Sequence, residues 1–140
     1  MANVNEVKTT MPTPQAQPLT AMSIAAPVAG WIIPGGGHLI QKHWIRGLLL
    51  LVSVCVLFFA GLGMQGKVYE FNTGDLLDIL GFFGDLGNGV LYLAARVLDW
   101  GQGAIHRATA DYGTKYIIVA GLLNIVSAID AYHIAIGKKK

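Results

Sequence analysis

The side chains able to do chemistry in this sequence are few and far apart. His38 and His133 each stand near the end of a long apolar run. In that setting an imidazole can ligate a haem iron or a chlorophyll magnesium, if two of them face one cavity from neighbouring helices. No CxxCH attachment sequence accompanies them, and hydrogen bonding at a membrane surface is the competing role. Asp130 is the single charge between Tyr116 and Gly137, with His133 about one turn on. An intramembrane carboxylate is a candidate proton relay. Its nearness to the terminal lysines makes pairing with one of them, or with Arg46, the plainer expectation. Asp85 and Arg96 share one helical stripe and suit either a solvated face or a transport pathway. Cys55 stands alone, which excludes a disulfide framework or CxxC motif within the chain and predicts a small buried apolar residue. Gly35, Gly36 and Gly37 lack the preceding strand and the GK[ST] ending of a phosphate cradle, and hydrolase-elbow, Rossmann and zincin motifs are absent. This inventory predicts neither an enzyme nor a metal centre.

The segments that must position these residues are apolar. Of 140 residues, 54% are hydrophobic and 13% charged, against roughly 25% charged in soluble domains. The net charge of +2, with basic residues scattered or terminal, excludes nucleic acid as a partner. Residues 1–20 carry three prolines among Thr, Gln and Asn and read as a flexible arm. They do not read as a secretory signal, because a polar tract with Glu6 comes first. Residues 21–140 read as one membrane domain. A first span is expected over about 22–40, long enough for the hydrocarbon core. Pro34 and the three glycines should stop or kink that helix near Ile33 and set Gly35–Gly37 tightly against a neighbour or at the interface. A second span is expected over about 47–66, with Ser53, Ala60, Gly61 and Gly63 as close-approach positions. Lys42, His43, Trp44 and Arg46 between the two predict a cytoplasmic turn, so the pair is a hairpin. A third span is expected over about 116–137. There Ala120, Asn124, Ala128, Ala131 and Ala135 form a helix-packing stripe with one amide able to bond across it, and Lys138–Lys140 anchor the end.

The remaining stretch, about 75–99, is amphipathic. On a helical wheel Asp78, Asp85, Asn88, Tyr92, Arg96 and Asp99 share one sector, opposite Ile79, Phe83, Leu86, Val90, Leu93 and Val97. A wet face of that kind predicts one helix in the outer interface or packed over the spans; a further span with the stripe buried against a partner is the competing reading. If the stretch does not cross, residues 67–115 lie outside with six acidic and four basic side chains, while Lys42, Arg46 and the lysine tail lie inside. The fold expected is therefore all-α and integral to the membrane: three transmembrane helices, the first two a hairpin, plus one amphipathic interfacial helix. The N-terminus is expected outside and the C-terminus in the cytoplasm.

The break Pro34-Gly-Gly-Gly-His38 before a basic turn, followed by Arg46-Gly47 and an apolar run, resembles the hairpin of the small two-transmembrane-domain superfamily, whose usual pattern is PGxGHxYxGxxxxG. Ile40 stands here where an aromatic is usual. The tail DYGTKYIIVAGLLNIVSAIDAYHIAIGKK, with the internal YLAAR, is similar to an uncharacterised family of short bacterial integral membrane proteins that share such a hairpin. Together these cover most of residues 25–140. The resemblance implies a bacterial inner-membrane protein and no particular activity.

Little polar chemistry and many small packing positions make the leading expectation a non-catalytic accessory or structural subunit of a larger membrane complex, respiratory or photosynthetic. Its partners would be larger integral membrane proteins and bound lipids. Trp31, Pro34, the three glycines and the alanine stripe would be its contact surfaces. No cofactor is required by that reading. The alternatives are a haem- or chlorophyll-binding subunit using His38 and His133, and a small homo-oligomeric transporter or channel using Asp130, Asp85 or Arg96.

Overall fold

A computed structural model describes residues 20–72, 74–104 and 106–139. The arm expected over 1–20 lies outside the described residues except for Thr20. Six helices follow one another: α1 (Ala21–Ile32), α2 (Gly36–Ile40), α3 (Trp44–Gly63), α4 (Leu76–Leu86), α5 (Val90–Val97) and α6 (Ala108–Ala135). Among the described residues there is no named strand, only an isolated bridge between Lys67 and Gln102.

The twenty residues of α3 and the twenty-eight of α6 are long and apolar enough to cross a membrane. They pack antiparallel. Gly61 of α3 lies against Gly113 and Ile117 of α6, with the backbones too close for a Cβ at Gly61. At about 1.5 Å per residue α6 is roughly 42 Å long, and every other helix except α5 makes substantial contact with it. Its two ends are called here the loop end, toward Ala108, and the tail end, toward Lys138.

The first apolar segment does not run straight through. Pro34 has no N–H to continue the ladder, and Gly35 sits at φ +74°, a left-handed conformation that turns the chain sharply. α2 then doubles back along α1, Gly36 lying against Ala29 and Gly37 against Ala26 and Ala131. The stretch 22–40 is thus a helix of twelve residues, a turn and a helix of five. Twelve residues rise about 18 Å, little more than half the hydrocarbon thickness. Gly30 beside Ala128, and Trp31 beside Asn124, show α1 running antiparallel to the tail half of α6.

The amphipathic stretch is likewise two helices, α4 and α5, bent by 113° at Gly87–Gly89. A single helix over 75–99 fails at the sequence Gly-Asn-Gly, where Gly89 adopts φ 58° and ψ −120°, open only to a residue without Cβ. α4 starts at Asp75, whose side chain accepts from the Leu77 N–H at 3.0 Å. It runs along the loop half of α6, Gly84 against Ile118 and Gly87 against Gly121. Of the expected polar sector three residues face inward: Asp85 and Asn88 are 0% exposed and Tyr92 7%. Leu77 (71%), Phe83 (56%), Leu93 (60%) and Val97 (84%) face out. The middle of the stripe expected to be wet, Asp85 and Asn88 with Tyr92, is instead packed inside, while Arg96 and Asp99 at its far end are exposed. The core between these elements is Val54 and Phe58 of α3, Ile117 and Ala120 of α6, Tyr92 and Ala95 of α5, and Val68.

Candidate functional site

Because α1 lies along one half of α6 and α4 along the other, their C-terminal ends meet near the middle of α6. Gly89 faces the Trp31 and Ile32 carbonyls so closely that a Cβ there would overlap them. The Trp31 indole Nε1 donates to the Leu86 carbonyl at 3.1 Å. From α6, the Asn124 amide Nδ2 donates both to the Trp31 carbonyl and to the Gly87 carbonyl, each at 2.9 Å. Helix ends leave carbonyls without intrahelical partners, and one asparagine serves the ends of two helices. Asn88, at the same junction, donates from Nδ2 to the Ile117 carbonyl at 3.0 Å.

Toward the tail end the α1–α2 hairpin is held to α6 by polar side chains. His38 is fully buried, and its Nε2 donates to Asp130 Oδ2 at 3.0 Å. A carboxylate accepts, so the hydrogen of this bond sits on Nε2. The other Asp130 oxygen accepts from the Lys139 ammonium. Gln41 Nε2 donates to the Gly37 carbonyl at 3.0 Å and to the Ala131 carbonyl at 2.9 Å. The expected pairing of Asp130 with a terminal lysine is found, and a histidine joins it from the glycine break. His133 is half-buried with its ring tilted against Tyr132. Haem ligation through His38 Nε2 would first have to break the bond to Asp130.

Toward the loop end, Asp85 Oδ2 accepts from the Tyr69 backbone N–H at 2.7 Å, and the Tyr92 hydroxyl donates to the Tyr69 carbonyl at 3.4 Å. Arg96, placed with Asp85 by the wheel, is not brought to it: Arg96 pairs with Glu70 at the exposed surface. Lys67 lies 3.9 Å from Asp78 and over the ring of Tyr69. Burial, and then the nearby carboxylates of Asp78 and Asp85, hold the Tyr69 phenol above its ordinary range. A cleft of about 500 Å³ between α4 and α6 opens here, lined in part by Lys67, Tyr69, Leu80 and Ile118.

The expected packing residues fall where close approach is needed. Pro34 through His38 are buried, as are Ala120, Asn124, Ala128 and Ala131; Trp31 is partly exposed and Ala135 half-buried. Ser127 and Gln41 were not singled out by the sequence, and Asn88 only as one member of the polar stripe. Ser127 stands midway between Asn124 and Asp130 at three-residue spacing, and Asn88 between two glycines in a turn, which are the signals available for them.

Among the described residues the regular structure is helical, with two helices long and apolar enough to cross a membrane, or three if the bent α4–α5 pair makes one crossing, which is compatible with a membrane protein. The chain belongs to the family of unknown function DUF6677, which matches residues 25–140. No curated protein and no solved structure matches it.

Proposed function

We propose that this protein is a small non-catalytic accessory or structural subunit of a larger complex in the bacterial cytoplasmic membrane, of the energy-converting kind, with lipids bound around it. One observation carries the reading: polar side chains turn inward and tie the chain to itself, while an apolar surface faces outward along its length. On α3 that surface is Leu48, Leu49, Val52, Val56 and Phe59; on α6 it is Val119, Leu122, Val126 and Ile129. Such a surface suits lipid or the flank of a larger membrane protein.

In this reading α3 and α6 cross the bilayer, and the two hairpins each enter to about half depth and return. The antiparallel pairing of α1 with α6 supports an N-terminus on the same side as the lysine tail, in place of the external one that three crossings would need. Lys42, Arg46 and Lys138–Lys140 then share the cytoplasmic side, in keeping with the positive-inside bias.

The test is purification from the native membrane in mild detergent through a tag after Lys140, with mass spectrometry of what co-elutes. Larger membrane proteins at fixed ratio are expected. Recovery of this chain alone, as a defined homo-oligomer, overturns the reading.

A further inference from the structure

The cleft of about 500 Å³ between α4 and α6 at the loop end has two kinds of wall. One is charged: Lys67 and Lys115 both line it, together with Asp111 and Thr114. The Lys67 N–H donates to the Thr114 hydroxyl at 2.8 Å, which brings the chain leaving α3 against α6 one residue from Lys115. Lys67 is half exposed and 3.9 Å from Asp78. Lys115 is exposed with its ammonium 5.5 Å from the centre of the Tyr112 ring, and among the described residues no carboxylate pairs with it. The other wall is apolar, made by Leu77 and Leu80 of α4 and Ile118 of α6. Both leucines open outward, at 71% and 68% exposed.

The depth of the cleft follows from α3. Gly61 lies against Gly113 and Ile117, and α3 ends at Gly63, so that end is level with the second turn of α6. Twenty residues of helix rise about 30 Å, the thickness of the hydrocarbon core. Lys67 therefore follows directly on the hydrocarbon boundary, and Lys115 is the last charge on α6 before Asp130. A lysine stem of that length can carry its ammonium back to headgroup level. On the sidedness proposed above this is the non-cytoplasmic end, where the positive-inside bias gives no reason for two lysines to share a cleft.

We infer that this cleft binds one anionic glycerophospholipid of the phosphatidylglycerol kind. Its phosphodiester is held by the ammoniums of Lys67 and Lys115, a headgroup hydroxyl donates to the Asp111 carboxylate, and an acyl chain runs down over Leu80 and Ile118. The charges lining the cleft, two ammoniums and one carboxylate, leave a single positive charge, which one phosphodiester balances. Basic pockets between membrane helices take anionic headgroups in this way. A choline headgroup has no hydroxyl for Asp111 and brings a positive charge of its own toward the lysines. A soluble phosphate ester has no use for the exposed leucines. The inference deepens the bound-lipid part of the proposed function and rests on α3 and α6 crossing the bilayer. It needs no parent complex, so a failed co-purification leaves it standing, and a failed lipid titration leaves the co-purification result standing.

The full chain, delipidated in detergent, is titrated with phosphatidylglycerol or with phosphatidylcholine of the same acyl chains, and bound lipid is counted by native mass spectrometry. One phosphatidylglycerol should bind at a concentration lower by about fivefold or more than phosphatidylcholine needs, the scale of one lysine at a charged headgroup. Lys115→Gln and Lys67→Gln should each raise that concentration by about fivefold. Lys138→Gln removes the same charge at the tail end and should leave it unchanged. Glycerol phosphate, the soluble headgroup, added in large excess should not displace the lipid. Thermal unfolding in detergent identifies folded variants; if Lys67→Gln does not fold, the exposed Lys115→Gln alone is read. Equal uptake of the two lipids, undiminished uptake by folded Lys115→Gln, an equal loss in Lys138→Gln, or displacement by glycerol phosphate overturns the inference.

Discussion

Asn124 donates to two carbonyls that belong to different hairpins, so removing its amide strands both acceptors in a buried place. Leaving a buried acceptor unpaired costs about 1–3 kcal/mol. Asn124→Ala is therefore expected to lower stability by at least that much, read from thermal or denaturant unfolding in detergent. Trp31→Phe removes a single bond to Leu86 and should cost about 0.5–1.5 kcal/mol. Because Trp31 both receives the Asn124 amide and donates to Leu86, the two changes should be non-additive in a double-mutant cycle. Tyr69 offers a pH test. Its phenol is held above its ordinary range in the folded protein, so the unfolded chain loses that proton first. Stability should fall as pH rises past about 10, and Tyr69→Phe should flatten that limb of the unfolding curve.

At the level of elements, the decisive position is Gly89. It combines a positive φ with a Cβ direction filled by the Trp31 carbonyl. Gly89→Ala should cost more than about 2 kcal/mol, since strain and overpacking add; failure to accumulate in membranes, or early melting, is the readout. Phe83→Asp tests the opposite face of the same hairpin, close to its tip. Its side chain is 56% exposed, so the charge is readily solvated in water but costs about 2.5–3.5 kcal/mol of insertion at bilayer depth. The uncharged run through Leu48–Leu51 and the small residues of α6 were legible as membrane-length helices because length and composition alone decide that property. The doubling back of α2 was not. Pro34 and Gly35 announce a break, but only the contacts of Gly36 and Gly37 with α1 decide where the chain goes next. The wheel placed Asp85, Asn88 and Tyr92 on one face correctly. It could not tell whether that face met water or α6, since periodicity reports which residues share a side and not what lies against it.

For the molecule as a whole, the arrangement of half-length hairpins makes a prediction about sidedness. Tags at residues 1 and 140 should both be reached by protease or thiol reagents from the cytoplasmic side, and a cysteine at Asn72 only from the other. A tag before Met1 that is protected while the one after Lys140 is cleaved would restore the external N-terminus expected from three crossings. Of the candidate site, the His38, Asp130 and lysine-tail grouping was half visible: Asp130 and the lysines are close in sequence, whereas His38 is ninety-two positions from Asp130 and reaches it only because α2 returns along α1.

That both hairpins are fastened to α6, one through α1 and α2 and the other through α4, also sets an order of events during synthesis. Ala21 leaves the ribosome 87 residues before Ala108, a lag of roughly 5–15 s at ordinary elongation rates. Throughout that interval the first hairpin lacks the surface that satisfies its tip, and the second lacks it from the moment it emerges. The last helix closes both together, and a nascent chain stopped before Asn124 is a substrate for proteolysis.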